Sequence, residues 1–299
     1  MIKVAIVGTI SNVETVLRSD LSRIINALTD LNVSDIFLVE SDSDDQTSTL
    51  LMDLEGEYSK LKYVKLGKLK NKIPNRIDRI RFCRNQYVHW LRENYVTKLW
   101  DYIIVVDLDG MNKRINAAAI NSCFSSTISW DAVFANQKYG YYDIYALRHA
   151  TWMPYDCFRV LNIMKQKLQV KLLTKPIRAF LLKRIYFDQL RKKLIYDKML
   201  KIPKDSDWIQ VDSAFGGLAI YRTELFLKND YSIIYEKGHI RSEHIDFHEE
   251  CIKNDYKLYI NPRLINSTWN EYNVNKNIFV RQSRSIFYEF KEIISKIKK

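Results

Sequence analysis

Two carboxylates stand directly after an apolar run, in Val105-Val106-Asp107-Leu108-Asp109-Gly110. The run 101–106 predicts a strand that is buried on both faces. Because side chains two residues apart on a strand share a face, Asp107 and Asp109 can aim at one point beyond its carboxyl end, where α/β sheets bind ligands. Two carboxylates there suit a hard cation such as Mg²⁺ or Mn²⁺, which takes oxygen ligands and can bridge a diphosphate. A pair of acids in an ordinary turn is the alternative.

The elements before this pair alternate between strand and helix patterns, as in a nucleotide-binding α/β sheet. Residues 2–8 predict a first strand, and apolar residues at helical spacing over 13–31 predict an amphipathic helix on the sheet. Further predicted elements are a strand at 35–40, a polar loop at 41–45, a helix from Thr47, a strand at 63–65 and a long helix over 76–94. The acidic pair is therefore expected within a sheet that earlier strands have begun.

The second half of the chain has a less regular pattern. It predicts strands at 132–135, 142–147, 216–222 and 258–260, a helix over 243–254, and an amphipathic C-terminal helix over 283–299.

Composition predicts one continuous domain with insertions, because 47% of the 299 residues are hydrophobic and no Ser- or Pro-rich linker interrupts them. Residues 159–204 hold 14 Lys or Arg against two acids, an excess equal to the chain's whole net charge of +12. This stretch, called the basic segment below, is predicted to be a helical insertion with its own role.

Four dispersed cysteines predict reduced thiols in a cytoplasmic chain. Without a signal-peptide pattern or an apolar stretch near the ~20 residues of a spanning helix, a soluble or peripheral protein is expected.

Three further stretches accompany the acidic pair. They are the acidic loop 39–47, the element Arg81-Phe82-Cys83-Arg84-Asn85 on the helix before the pair, and 242–248 followed by 259–262. Together with Asp-x-Asp at the end of a strand, they stand in the order found in the GT-A glycosyltransferases. The chain resembles that family over most of its length outside the basic segment, and the nearest branch is the capsule-associated mannosyltransferase-like group.

The resemblance implies an α/β fold, a GT-A (Rossmann-like) mixed sheet flanked by helices, with residues 1–299 as a single catalytic domain. Residues 1–110 would bind a nucleotide-sugar donor, and residues 111–299 would form the acceptor half, including the basic segment and the helix 283–299. The implied activity is hexosyl transfer (EC 2.4 class) to a glycan or lipid-linked glycan, with Mn²⁺ or Mg²⁺ as cofactor. Because apolar and basic residues alternate in the basic segment, an anionic membrane surface is a further candidate partner. A solvated basic face that packs on the domain or binds an acidic glycan is the alternative. No nucleic-acid partner is expected.

The metal ligands expected from this resemblance are Asp107 and Asp109. His244 and His248 lie four residues apart and so share a helix face, and one of them would serve as a third ligand. A histidine that packs in the core or lies at the surface is the alternative.

Donor binding is expected from Asp107 and four other residues. Glu40 and Asp42 would accept hydrogen bonds from the base or the ribose hydroxyls, or else cap their own loop. Arg84 would neutralise the diphosphate with its fork of donors, and Asn85 would add a neutral contact.

An inverting reaction would also need a carboxylate base to deprotonate the acceptor hydroxyl, for which Asp246 and Glu243 are the candidates. Many inverting members of the family carry Glu-Asp where this chain has Glu243-His244, so the base stays open. The mannosyltransferase-like resemblance favours a retaining reaction. The small residues of 213–217 would let an acceptor sugar approach the backbone.

Two other functions are compatible with parts of the pattern. Asp-Leu-Asp-Gly also resembles the first motif of haloacid-dehalogenase-type phosphohydrolases, with Asp107 as nucleophile and Asp109 as general acid. In that family the motif normally closes the first strand, whereas here other strands precede it. The positive charge is compatible with a nucleic-acid-binding protein, but it is confined to one segment and no nucleic-acid motif accompanies it.

Overall fold

The structure is a computed structural model that describes residues 1–172, 186–231 and 241–268. The strands in these ranges are β1 Lys3–Ile10, β2 Asn32–Glu40, β3 Leu61–Lys65, β4 Tyr102–Val106, β5 Ala132–Gln137, β6 Ile209–Gln210, β7 Leu218–Arg222 and β8 Leu258–Ser267. The helices are α1 Leu17–Ala27, α2 Thr47–Glu57, α3 Arg76–Lys98, α4 Ala117–Phe124, α5 Cys157–Leu172, α6 (186–194), α7 Glu224–Lys228 and α8 Glu243–Lys253.

The described strands form one mixed sheet in the order β3-β2-β1-β4-β7-β5-β8-β6. β3, β2, β1 and β4 are mutually parallel, so their carboxyl ends meet at one edge. β7 then runs antiparallel between β4 and β5, while β8 is parallel to β5 and antiparallel to β6. The predicted fold class, a mixed α/β sheet flanked by helices, is confirmed.

β4 is buried on both faces, as its apolar sequence predicts. Ile103 and Val105 belong to the core cluster on the face covered by α3 and α8, and Ile104 and Val106 belong to the cluster under α1, α2 and α4. The start of α3 is fixed by Asn75, whose side chain accepts the backbone N–H groups of residues 77 and 78. Packing on both faces fixes the carboxyl end of β4, from which Asp107 and Asp109 follow.

The second half departs from the prediction in two places. Residues 142–147 form a turn and irregular backbone and not a strand, because their backbone N–H groups bond locally or to side chains; that of Tyr142, for example, donates to Gln137 Oε1 at the end of β5. β8 is longer than predicted and continues through Ser267. The predicted helix over 283–299 and much of the basic segment lie outside the described residues. Among those that are described, no helix is long and apolar enough to span a membrane.

Candidate active site

A cleft of about 690 Å³ opens where β1, β2 and β4 end. One wall, the strand side, consists of the cleft-lining residues within 9–13, 41–42 and 76–84. The opposite wall, the loop side, consists of those within 142–145, Phe158 and 191–199. Asp107 and Asp109 lie between the two walls, because β4 stands between β1 and β7 in the sheet.

The backbone around the acidic pair is held by hydrogen bonds from three directions. The N–H of Asp107 donates to the carbonyl of Gly217 (2.9 Å), and Asn112 Nδ2 donates to the carbonyl of Asp107 (2.6 Å). The N–H of Gly110, whose φ of +90° suits only glycine, donates to Asp20 Oδ2 of α1 (2.6 Å). The two carboxylates are therefore presented by a fixed turn.

The pair carries more negative charge than its surroundings balance. Burial and the neighbouring Asp109 raise the pKa of Asp107 to about 8, with Asp143 and Glu243 adding to the effect, although Arg84 opposes it. Like charges at one buried point raise a pKa because they cannot all ionise cheaply. A cation would remove that cost.

The donor set fits a divalent cation of the Mg²⁺ type. Mg²⁺ is usually bound by one or two carboxylates, with waters and substrate phosphates completing its octahedron. Asp107 and Asp109 provide such a pair. Within the described ranges, no three His, Cys, Asp or Glu side chains are grouped as a complete protein cage for a metal.

Arg84 enters the cleft from α3 with a buried guanidinium. Its Nε donates to Glu243 Oε1 (3.1 Å) and its NH1 to the hydroxyl of Tyr87 (3.2 Å). Its NH2 lies 3.8 Å from Asp107 Oδ1, and its Cζ lies 5.2 Å from the centre of the Phe215 ring. The hydrogen bonds of Nε and NH1 thus orient the guanidinium so that NH2 faces the acidic pair.

Asn85 does not line the cleft. Its side chain makes two hydrogen bonds to the backbone of Tyr231, accepting from the N–H at 2.8 Å and donating to the carbonyl at 3.1 Å. The structure gives it a positioning role for that segment, so we leave it out of the donor site.

Glu40 and Asp42, the two acids expected to contact the base or the ribose, differ in their position relative to the cleft. Glu40 caps its own loop, because Oε1 accepts from the N–H of Ser43 (3.1 Å) and the residue is 3% exposed outside the cleft. Asp42 lines the cleft, adopts a left-handed φ of +63° and pairs with Arg79 Nε at 3.2 Å. Its Oδ1 also accepts the backbone N–H of Lys70 (2.9 Å), so it caps a loop as well. Asp42 is therefore the candidate for the donor's base or ribose.

Helix α8 separates its four candidate residues. Glu243 and His244 line the cleft, whereas Asp246 and His248 are buried behind it. Asp246 forms ion pairs with Arg81 and Arg241. We therefore correct its assignment from catalytic candidate to structural residue.

His248 lies between two hydroxyls, with Nδ1 2.9 Å from Ser213 Oγ and Nε2 2.9 Å from the hydroxyl of Tyr221. Burial lowers its pKa to about 3, so the ring is neutral. With both ring nitrogens bonded away from the cleft, His248 is not placed to bind a metal at Asp107 and Asp109.

His244 is the cleft histidine. It is 2% exposed, its ring stacks on Phe215 at 4.1 Å between centroids, and neither ring nitrogen has a hydrogen-bond partner among the residues that the structure describes. Nε2 lies 3.6 Å from Glu243 Oε1. Burial, with Arg84 nearby, lowers the pKa of His244 well below its usual value. A neutral imidazole at a carboxylate cluster keeps the lone pair of one ring nitrogen available for a ligand, while its other nitrogen carries a proton.

Asp143 is the cleft residue that the sequence did not suggest. Its two carboxylate oxygens accept the N–H groups of Gly216 (3.1 Å) and Ala146 (3.3 Å), and burial raises its pKa to about 6. Its position depends on the turns over 142–147, which were predicted as a strand. No local motif marks it; only the long-range bond to Gly216 brings it to the site.

The glycines near β7 serve packing and not ligand approach. A Cβ on Gly216 would lie 2.7 Å from the carbonyl oxygen of Ala135, and one on Gly217 would lie 2.8 Å from the Met111 side chain. The expectation that this stretch leaves the backbone open to an acceptor sugar is therefore wrong.

No family model and no curated protein matches the chain. Among solved structures it is similar to the mannosyltransferase PcManGT from Pyrobaculum calidifontis in complex with GDP-Man and Mn²⁺, with a TM-score of 0.46, 12% identity, and coverage of 88% of this chain and 56% of that one. It is also similar to S. aureus TarS 1-349 in complex with UDP-GlcNAc, with a TM-score of 0.43, 13% identity, and coverage of 91% and 59%. The chain thus spans less than two thirds of either structure.

Proposed function

We propose that this protein is a metal-dependent glycosyltransferase, which transfers a hexosyl group from a nucleoside-diphosphate sugar to a glycan or lipid-linked glycan. The observation that supports this most directly is the pair Asp107 and Asp109, presented by a rigid turn at the carboxyl end of β4 in a cleft that also holds a buried arginine. The carboxylates suit a divalent cation, and the cation together with Arg84 would bind a diphosphate.

The donor would lie along the strand side of the cleft. Asp42 would accept hydrogen bonds from the base or the ribose, and Arg84 would donate through NH2 to the diphosphate. Asp107 and Asp109 would hold Mn²⁺ or Mg²⁺, with His244 as a further candidate ligand. When bound, the cation would offset the charge that develops on the departing nucleoside diphosphate.

Glu243 would have two roles on the opposite side of Arg84. Its bond to Nε orients the guanidinium, and it is the carboxylate of α8 that remains as a candidate base for an inverting reaction. A retaining reaction, which the mannosyltransferase-like resemblance favours, would need no such base. The anomeric configuration of the product, determined by NMR, distinguishes these two outcomes.

The test of the proposed function is a thermal-shift screen of GDP and UDP with and without Mn²⁺, followed by assay of nucleoside-diphosphate release from GDP-mannose and UDP-N-acetylglucosamine. A ligand that binds only the folded state raises its melting temperature. We expect stabilisation that needs both nucleotide and Mn²⁺. Stabilisation by RNA alone, falling steeply with salt, would instead support the nucleic-acid-binding alternative.

A lipid-linked acceptor would bring the protein to a membrane surface. The described part of the basic segment exposes Lys193, Lys201 and Lys204. Basic residues near an anionic surface contribute on the order of 1 kcal/mol each, so several together would give reversible, salt-sensitive attachment. Co-sedimentation with anionic and neutral vesicles at two salt concentrations tests this part of the proposal.

A further inference from the structure

The loop side of the cleft differs in chemistry from the strand side. Its lining includes the rings of Tyr142, Tyr145, Phe158 and Tyr196, beside the carboxylate of Asp143. Tyr145 and Phe158 form a ring pair with centroids 4.3 Å apart and planes inclined by 36°. Phe158 lies in the first turn of α5, just before the basic segment, whereas Tyr145 comes from the turns after β5. Tertiary folding therefore assembles an aromatic wall next to an acid.

We infer that this wall is a binding subsite for the acceptor, and that the acceptor part bound there is a pyranose ring of a glycan. The inference rests on the proposed function, because it assigns the half of the cleft that the donor would leave open. Tyr145 and Phe158 would bind the C–H face of the sugar, and Asp143 would accept hydrogen bonds from its hydroxyl groups.

Aromatic rings and a carboxylate together favour a sugar. The face of an aromatic ring is electron-rich, so it attracts the weakly positive C–H groups that a pyranose presents on one face. The same sugar carries hydroxyl donors at its rim, which suit an acceptor-only carboxylate. Pockets that fix a small molecule typically combine apolar surface with a few placed polar groups.

Other acceptor chemistries fit this wall less well. A lipid chain would cover the carboxylate of Asp143 without offering it a donor, and burying a charge unpaired is costly. A phosphate group placed beside Asp143 would meet the negative charges of Asp143 and Glu243, whereas Arg191, which also lines the loop side, would attract it. The phosphate part of a lipid-linked acceptor would therefore lie nearer Arg191 than Asp143.

Asp143 is already oriented for this role. The N–H groups of Gly216 and Ala146 each donate to one of its oxygens, which fixes the carboxylate while leaving further lone pairs for hydroxyls. No step of the transfer is assigned to it; it positions the acceptor.

Saturation-transfer NMR tests the inference on the full chain with Mn²⁺ and GDP or UDP present. The probes are disaccharides of mannose, glucose, galactose and N-acetylglucosamine, with decyl phosphate as a lipid-phosphate probe. We expect at least one disaccharide to bind the wild-type protein and to bind Tyr145→Ala at least tenfold more weakly. Asp143→Asn should weaken the same disaccharide severalfold. Tyr145→Ala should not alter the Mn²⁺-dependent binding of the nucleotide.

Matched controls separate binding from folding. Tyr186→Ala removes an exposed ring of α6 that lies outside the cleft, and Asp131→Asn alters a carboxylate that accepts a backbone N–H elsewhere (2.8 Å from Lys257). Both should bind the disaccharide as the wild type does. Phe158→Leu, which removes the ring but keeps apolar volume, serves as the second test if Tyr145→Ala lowers the melting temperature.

Three results would overturn the inference: no disaccharide binds, a disaccharide binds Tyr145→Ala and Phe158→Leu as well as it binds the wild type, or decyl phosphate binds in place of the sugars and is lost in those variants. Each is distinguishable from failure of the proposed function, which would appear as the absence of Mn²⁺-dependent nucleotide binding in the wild type.

Discussion

The acidic pair after β4 and the helix α8 contribute carboxylates of opposite kinds. Asp109 is exposed on a turn at the ends of parallel strands, whereas Asp246 is fully buried on α8 between Arg81 and Arg241. The same residue type is thus presented to the cleft in one region and enclosed by the core in the other. Asp109 is therefore available for a ligand, whereas Asp246 stabilises the fold.

The sharpest test of this comparison is Asp109→Asn. Losing one carboxylate of the proposed cation site should lower turnover by at least about 1,000-fold, because several kcal/mol of charge stabilisation are lost. The melting temperature should stay close to that of the wild type, since the side chain is not part of the core. Steady-state assays, thermal denaturation and Mn²⁺-dependent nucleotide binding check this. Turnover near that of the wild type would remove Asp109 from the metal site.

The identical change at Asp246 should have the opposite result. Asp246→Asn leaves two arginines beside a neutral amide, so we expect the free energy of unfolding to fall by about 4 kcal/mol. The folded fraction should keep kcat/KM within a few-fold of the wild type. Urea denaturation and activity assays corrected for the folded fraction measure the two quantities. A stable variant without turnover would restore Asp246 as a catalytic candidate.

Arg84 joins the two regions, because it bonds to Glu243 of α8 and faces Asp107 of β4. Arg84→Met should lower the free energy of unfolding by about 3 kcal/mol, since it leaves Glu243 charged and buried. Stability is therefore affected along with donor binding, which the sequence alone did not predict. Adding Glu243→Gln should recover most of the stability without recovering Mn²⁺-dependent nucleotide binding. Recovery of both in the double variant would show that Arg84 is purely structural.

The neutral His248 makes the α8 region sensitive to acid. Its pKa is about 3 in the folded protein against an ordinary 6.5, so between these values the unfolded state binds more protons. Its contribution to stability is therefore complete above about pH 6.5 and falls by about 1.4 kcal/mol per pH unit below that. Urea denaturation at pH 7.5, 6.0 and 5.0 should show a shallower decline for His248→Gln. Equal slopes for both proteins would contradict the buried, neutral assignment.

The smallest effect is expected on the exposed face of the basic segment. Reversing Lys193, Lys201 and Lys204 to Glu should reduce sedimentation with anionic vesicles several-fold at low salt, because each charge contributes on the order of 1 kcal/mol. The control variant reverses Lys60, Lys65 and Lys257, which lie outside that segment. Equal loss in both variants, or equal binding of the wild type to neutral vesicles, would exclude a local membrane-binding face.

The sequence by itself determined the parallel half of the sheet and the position of the acidic pair. The apolar run before Asp107 and its two-residue spacing are local signals, and a strand buried on both faces follows from them. The strands around 35–40 and 63–65 and the helix from Arg76 were identified for the same reason. The direction of a side chain at the end of a strand follows from the alternation of side chains along that strand.

Only the tertiary structure decided which residues of the second half reach the cleft. Four candidates lie within six positions of one another on α8: Glu243, His244, Asp246 and His248. Their spacing in the sequence did not distinguish those that line the cleft from those that are buried behind it. Packing on Phe215, Ser213 and Tyr221 separates them, together with Arg81 from α3 and Arg241 from just before α8. Asp143 reaches the cleft through a bond to Gly216, 73 residues away in the chain. Contacts of this range are set by the balance of burial and hydrogen bonding over the whole domain, which no local pattern records.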